Sequence, residues 1–260
     1  MIAFLTSQPL WLTGLIVVGL TTLIAMCAPV FIRRRVGLEN LKLNNEVAGF
    51  KFATVGVLYA VFLAFAIILV WQEYSDANAN VTKEAGAAAT LFHLSRGLDE
   101  APAAKFRDAL SAHLKTVIAD EWPSMQNGNA SRAAAQSLES VYAALLAADT
   151  PDLRSSALMA EMFAQLDVLT QARRARLLAA EGLVPEIVWI VLVGGAVLTI
   201  GFTFFFGTKN LKAQSVMTGV ISLLIFSELL IVVAIDMPFT GSIKVGPEAL
   251  SEVLADFGTR

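Results

Sequence analysis

Four long runs of apolar residues dominate this chain, at 10–32, 52–71, 187–206 and 213–235. Only the last run contains a formally charged side chain, Glu228. A helix rises about 1.5 Å per residue and the hydrocarbon core of a bilayer is about 30 Å thick, so about 20 apolar residues cross it. Each run therefore predicts a transmembrane helix, and these helices are called spans 1 to 4.

The first run has an alternative interpretation as a cleaved signal peptide. Residues 1–9 contain no Lys or Arg, and the apolar run is longer than the core of an ordinary signal peptide. The bulky Met26 precedes Cys27, where a lipoprotein cleavage site has a small residue. We expect the run to be retained as span 1.

The segment between spans 2 and 3, residues 72–184, has the apolar spacing of helices and no sustained alternation typical of strands. Span 2 is expected to continue into it, Trp122-Pro123 to end one of its helices, and Thr150-Pro151 to begin its last helix. The predicted apolar stripes are Phe106, Leu110, Leu114 and Val117; Leu138, Val141, Tyr142 and Leu145; and Leu158, Met162, Leu166 and Leu169.

These patterns predict an all-α membrane protein with four transmembrane helices and a helical-bundle domain inserted between spans 2 and 3. The expected boundaries are 1–71 for spans 1 and 2, 72–184 for the extramembrane domain, 185–236 for spans 3 and 4, and 237–260 for a C-terminal tail with a short helix.

Lysine and arginine in the short loops predict the orientation. The loop between spans 1 and 2 contains three arginines and two lysines at 33–51, the loop between spans 3 and 4 contains Lys209 and Lys212, and residues 1–9 contain neither residue type. Both short loops are therefore expected in the cytoplasm, with both termini and the inserted domain outside. Three arginines just before span 3 would favour a cytoplasmic inserted domain: Arg173, Arg174 and Arg176. Basic residues in long domains count less in this rule than those in short loops.

Several function classes lack support in the sequence. The net charge of −3 gives no basic footprint for nucleic acid, and no hydrolase, zinc-protease, Walker A or dinucleotide motif occurs. Cys27 is the only cysteine, and His93 and His113 lie twenty residues apart without helical pairing. We expect no enzyme activity, no catalytic residue, no cofactor and no metal site.

Short motifs occur in one order along the chain. They are NNEVAGFK at 44–51, VWQEYSDA at 70–77, EA at 84–85, EWP at 121–123, RRARL at 173–177, GFTFFFG at 201–207 and DMPFTG at 236–241. With this set the chain resembles, over nearly its whole length, the domain-of-unknown-function family 4239, commonly labelled bestrophin-like.

The resemblance implies a bacterial membrane protein, and the word bestrophin implies an anion channel. Bestrophins are pentamers with four spans and a large helical insert between spans 2 and 3, which is the layout predicted here. Their insert faces the cytoplasm, whereas the positive-inside count places this one outside. Their second span carries a repeated aromatic constriction, and here Phe62 and Phe65 lack the full repeat.

Candidate ion-path residues lie on spans 2 and 4. Glu228 is costly within a bilayer and must face the bundle interior or water, either as an ion site or as a hydrogen-bonding residue beside Ser222, Ser227 or another span. The candidates on span 2 are the apolar face of Phe62, Phe65 and Leu69, together with Glu46 and Lys51 at its start, for which a vestibule role competes with interfacial anchoring.

Gly56, Ala60 and Ala64 form a small-residue stripe that favours close helix packing, within the chain or between subunits. Two functions follow as hypotheses. One is a homo-oligomeric ion channel or transporter in the bacterial inner membrane, with lipid and a small ion as partners. The other is a non-conducting scaffold or sensor whose outer helical domain binds a partner.

Overall fold

The computed structural model describes residues 8–43, 45–148, 153–182 and 184–258, which form helices with no strand among them. In chain order the helices are α1 (Leu10–Val36), α2 (Leu38–Lys42), α3 (Asn45–Leu94), α4 (Glu100–Thr116), α5 (Trp122–Met125), α6 (Arg132–Leu146), α7 (Leu153–Ala179), α8 (Glu186–Thr203), α9 (Leu211–Ile235) and α10 (Glu248–Gly258).

Four of these helices are long and apolar enough to cross a membrane: α1, the apolar part of α3, α8 and α9. They correspond to spans 1 to 4. The chain divides into two compact units, and the spans lie in the first, whose described residues are 8–43, 45–72, 184–236 and 241–243. Helix α3 contributes to both units, with its residues up to Gln72 in the first and those from Glu73 in the second.

Small residues set the helix contacts of the first unit. Span 4 packs along span 1, and a Cβ at Gly219 would lie 2.7 Å from the Met26 side chain. The Tyr59 ring lies against Gly195 of span 3, where a Cβ would approach it to 2.5 Å. Real Cβ atoms do not approach neighbours this closely, so a larger residue at either position would force the Met26 or Tyr59 side chain to move.

The second unit contains the described residues 73–148, 153–182, 237–240 and 244–258. Its core consists of the predicted stripes, because Phe106, Leu110, Leu114 and Val117 on one helix and Met162, Leu166 and Leu169 on another are all fully buried. The C-terminal residues join this core: Leu250 is fully buried, and Phe257 stacks on Phe92 with ring centroids 4.0 Å apart.

The prediction that Trp122-Pro123 ends a helix is wrong. After Thr116 the chain continues through a π-helical turn, Val117–Glu121, into α5. Pro123 lies near the start of α5, directly after the π-helical turn, so the helix passes through the proline. The chain leaves the helix only at Met125, before the turn at Gly128, whose positive φ of 69° suits glycine.

Side-chain caps begin two of the helices. The Ser131 hydroxyl accepts a hydrogen bond from the Ala134 N–H at the start of α6. The side-chain Oδ1 of Asn210 accepts one from the Ala213 N–H at the start of span 4. The predicted start at Thr150-Pro151 lies outside the described residues, and α7 begins at Leu153 in the described chain.

Candidate functional site

Span 2 attaches to the rest of the first unit along one narrow face. Tyr59, Leu63, Ala66 and Val70 are buried there, at the spacing of one side of a helix. The Tyr59 hydroxyl donates a hydrogen bond of 2.9 Å to the Leu192 carbonyl oxygen on span 3. This hydrogen bond, together with the packing of the Tyr59 ring into the space above Gly195 (the Gly195 notch), fixes which side of span 2 faces inward.

The proposed constriction residues lie on the outer side of the same helix. Phe65 is 69% exposed and Leu69 is 53% exposed, while Phe62 is half-buried. Their separations of three and four residues place them on one helical face. The structure therefore brings these candidates together on a surface that the single chain does not cover.

The small-residue stripe also faces outward. Ala60 and Ala64 are exposed, and a Cβ built at Gly56 would meet no atom within 4 Å among the described residues. Glycine at this position is therefore not explained by close packing within the described chain. The stripe is therefore open to lipid or to a helix of another molecule.

Glu228 lies on the exposed surface of span 4, seven residues before its last residue, Ile235. Seven residues of helix place it about 10 Å from that end. Its carboxylate is close enough to Tyr59 for an electrostatic interaction but forms no hydrogen bond with any residue in the described part of the chain. The Ser222 hydroxyl, suggested above as a partner, is buried and has no hydrogen-bond partner within the described part of the chain.

Glu46 and Lys51 are both exposed near the start of α3, at the end of the first unit where the short loops meet. Asn45 joins the loops by donating a 2.8 Å bond to the Gly207 carbonyl and accepting a 2.9 Å bond from the Gly207 N–H. A Cβ at Gly207 would lie 2.7 Å from the Lys42 backbone nitrogen. These contacts place both basic short loops at one end of the spans, as the four-span prediction requires.

A buried network of four charged side chains lies in the second unit. None of the four is among the candidate site residues predicted from the sequence. Arg176 donates to Glu84 at 2.7 and 2.9 Å and to Glu121 at 2.9 Å, and Arg173 donates to Glu121 at 3.0 Å. Arg176, Glu84 and Glu121 are fully buried. The Arg176 guanidinium also lies over the Trp122 ring, 4.8 Å from its centroid.

Electrostatics in this network favours the charged states. Burial by itself raises the pKa of the Glu121 carboxyl, but hydrogen bonds and charge from Arg173 and Arg176 hold that pKa below its ordinary value. Burial alone lowers the pKa of Arg176, and the Glu84 and Glu121 carboxylates raise it above its ordinary value. Two guanidinium and two carboxylate groups balance, so the network serves the fold of the second unit and has no net charge to attract an ion.

The sequence contained a signal for this network. Glu84 falls on the buried stripe that includes Ala77, Val81 and Ala88, and Arg173 and Arg176 continue the spacing of Met162, Leu166 and Leu169. Charged residues at core positions of amphipathic helices predict buried partners of opposite charge.

His113 lies beside the network, fully buried, with its Nδ1 2.8 Å from the Ser137 hydroxyl oxygen. Burial, aided by the charge of Arg173, lowers the pKa of His113 to about 4. The imidazole is therefore neutral at pH 7. No group of three or more His, Cys, Asp or Glu side chains within the described ranges is placed to hold a metal ion.

The four apolar helices and the separate helical unit define the chain as an all-helical membrane protein. A family model for the bestrophin-like domain matches residues 19–250. The chain belongs to the bestrophin-like family.

Solved structures share the fold of this chain. A crystal structure of a variant of a bacterial bestrophin homologue from Klebsiella pneumoniae is 14% identical, with a TM-score of 0.70 over 94% of this chain and 99% of that one. Another crystal structure of a bestrophin homologue from this organism is 15% identical, with a TM-score of 0.69 over 93% and 98% of the two chains. A variant of a membrane protein is 15% identical, with a TM-score of 0.71 over 94% and 99%. No curated protein matches the chain.

Proposed function

We propose that this protein assembles into a homo-oligomeric ion channel, with the outer face of span 2 lining the ion path. The exposed Glu228 carboxylate within span 4 is the observation that carries the proposal. A carboxylate at the centre of a transmembrane helix costs at least about 2.5–3.5 kcal/mol on insertion scales, and Glu228, about 10 Å inside one end of span 4, bears part of that cost. A water-filled path bounded by several subunits removes this cost.

The small-residue stripe supports assembly of identical chains. Gly56, Ala60 and Ala64 are accessible from outside the chain and allow a second helix to approach closely. Contact along this stripe leaves the opposite face of span 2, which carries Phe62, Phe65 and Leu69, available to line a path. The similarity of fold to the Klebsiella bestrophin homologue is consistent with this arrangement.

The narrowest point of the path is assigned to Phe62, Phe65 and Leu69. Rings of apolar side chains gate channels by excluding water, without a charged filter. Two of these residues are more than half exposed in the single chain, so equivalent residues of several subunits can meet around an axis. Glu46 and Lys51, both exposed, are assigned to the mouth of the path at the end with the short loops.

We place residues 73–182 outside the membrane as a domain inserted between spans 2 and 3. The basic short loops favour the outer side of a bacterial inner membrane for this domain. Single cysteines in a Cys27→Ser background test the orientation in whole cells. An impermeant thiol reagent should label Asn129→Cys and spare Leu43→Cys, both of which are exposed positions. The reverse labelling would overturn the orientation.

Two substitutions test the ion path in reconstituted bilayers. Phe65→Ala should raise conductance by widening the apolar constriction, whereas Phe205→Ala, a phenylalanine of similar exposure beyond the end of span 3, should not. Glu228→Gln should preserve anion current and suppress cation or proton current, because it keeps the hydrogen-bonding shape and removes the charge. Equal currents from Phe65→Ala and Phe205→Ala would remove span 2 from the path.

Glu228 has an alternative place in a contact between subunits. If Glu228→Gln lowers the mass of the assembly in detergent and leaves its ion selectivity unchanged, Glu228 is a subunit contact and not part of the path. If no variant and no wild-type preparation conducts, the scaffold function described above replaces the channel.

A further inference from the structure

A groove of about 250 Å³ opens in the first unit at the end with the short loops. Phe52 of span 2, Phe206 beyond span 3, and Met217 and Ile221 of span 4 form its apolar walls. Met217 is 64% exposed, so the groove is open to the lipid around the spans.

Two buried polar side chains also line this groove. Gln214 and Thr218 are only 4% and 2% exposed, and Gln214 Oε1 has no hydrogen-bond partner among the described residues. Gln214 lies three residues after the start of α9, about 4.5 Å along the helix axis. An unpaired buried acceptor at this depth favours a ligand that carries a hydroxyl donor as well as an apolar chain.

Basic residues lie next to groove-lining residues in the chain. Arg33 donates a 3.2 Å hydrogen bond to the carbonyl oxygen of Thr208, which lines the groove. Lys51 precedes the lining residue Phe52, and Lys209 follows Thr208; both lysines and the nearby Lys212 are exposed. The short loops and their flanks at 33–51 and 207–213 contain seven Lys and Arg against two Glu.

We propose that this groove is a binding site for an anionic phospholipid with a hydroxyl-bearing headgroup, of the phosphatidylglycerol type. One acyl chain occupies the apolar walls. The phosphate lies among the exposed lysines, and the headgroup or glycerol region supplies a hydroxyl near Gln214. Basic pockets between transmembrane helices are established binding sites for anionic lipid headgroups.

Charge complementarity favours lipid over a second protein chain at this site. A protein surface seated in the groove would bury lysines that are now hydrated, at a cost in desolvation. An anionic lipid approaches the same lysines from the membrane surface and leaves them partly hydrated. Each basic residue near an anionic headgroup strengthens binding about fivefold.

Lipid binding by the full-length protein in neutral detergent tests the proposal. The protein is titrated with dioleoyl phosphatidylglycerol and with dioleoyl phosphatidylcholine, and bound lipid is counted by native mass spectrometry. We expect the anionic lipid to bind at least roughly tenfold more tightly. The double variant Lys209→Gln and Lys212→Gln should weaken its binding roughly 25-fold and leave phosphatidylcholine binding unchanged.

Filling the groove tests the acyl-chain site separately. Met217→Trp should weaken binding of both lipids. Leu224→Trp, at an exposed position of the same span that does not line the groove, should leave both affinities unchanged. A matched charge control is the double variant Lys105→Gln and Lys115→Gln, two exposed lysines in the second unit, which should bind phosphatidylglycerol like wild type.

Three results would overturn the proposal. The first is equal affinity for the two lipids in wild type. The second is displacement of phosphatidylglycerol by soluble glycerol phosphate at equal concentration, which would indicate an anion site without an acyl-chain site. The third is a smaller assembly for Met217→Trp with unchanged lipid affinity, which would make the groove a contact between subunits.

Discussion

Replacing Arg176 with methionine leaves two buried carboxylates without their shared cation. Arg176, Glu84 and Glu121 are each fully buried, and Arg176 makes three hydrogen bonds to the two glutamates. Removing one partner from a buried ion pair costs about 3–5 kcal/mol, because the remaining charge keeps its desolvation penalty. For a chain of this size about 2–4 °C is lost per kcal/mol, so the melting temperature should fall by roughly 6–20 °C.

Thermal unfolding of the full-length protein in detergent measures this loss. Arg174→Met is the matched control, because Arg174 is exposed and adjacent in helix α7, and it should change stability by less than about 0.5 kcal/mol. Adding Glu84→Gln to Arg176→Met should restore part of the lost stability, since one stranded carboxylate is removed while Glu121 keeps Arg173. An equal melting temperature for Arg176→Met and Arg174→Met would show that the buried network does not stabilise the fold. A double variant no more stable than Arg176→Met alone would show that the unpaired carboxylate is not the cause of the loss.

Three further predictions concern the core, pH and assembly. Leu166→Ala should cost about 2–5 kcal/mol because Leu166 is fully buried, and an unchanged thermal midpoint would contradict its core position. The pKa of His113 is lowered from 6.5 to about 4 in the folded protein. As pH falls, the His113 imidazole therefore binds a proton in the unfolded chain at a higher pH than in the folded protein. Folding stability should therefore decrease by about 2 kcal/mol between pH 7 and pH 5, and this loss should be absent in His113→Gln; equal pH dependence in both proteins would exclude His113 as the cause. Ala60→Leu should block close helix approach and lower the mass of the detergent-solubilised assembly, and an unchanged mass would remove the stripe from the subunit contact.

The helices follow from patterns within single segments of sequence. Apolar length alone predicts the four spans, and the spacing of Phe106, Leu110 and Leu114 predicts a core that the structure shows fully buried. The continuation of the span 2 helix to Leu94 is visible in the helical spacing of Ala77 and later residues. The helix end placed at Trp122-Pro123 failed because the helix passes through the proline directly after a π-helical turn, and that turn has no clear local signature.

The candidate site depends on contacts between segments, and the sequence predicts it only in part. Every side of span 2 is apolar, so periodicity does not reveal its buried face. The structure fixes that face through the fit of Tyr59 into the notch at Gly195. The network of Glu84 and Arg176 joins residues 92 positions apart, and the lipid groove joins three spans. No local pattern specifies such pairings, although charges on buried stripes indicate that a partner exists.

Cysteine modification of span 2 during ion flux tests the central claim most directly. Cys27 is the only cysteine in the chain, so a Cys27→Ser background carrying Phe65→Cys has one reactive thiol, at a position 69% exposed in the single chain. In planar bilayers we expect ion current from the background protein and from the variant. A charged, water-soluble thiol reagent should change the current only in the variant. Absence of current for chloride, potassium and protons at every pH would contradict the channel, and a current through Phe65→Cys unaffected by the reagent would contradict a path along span 2.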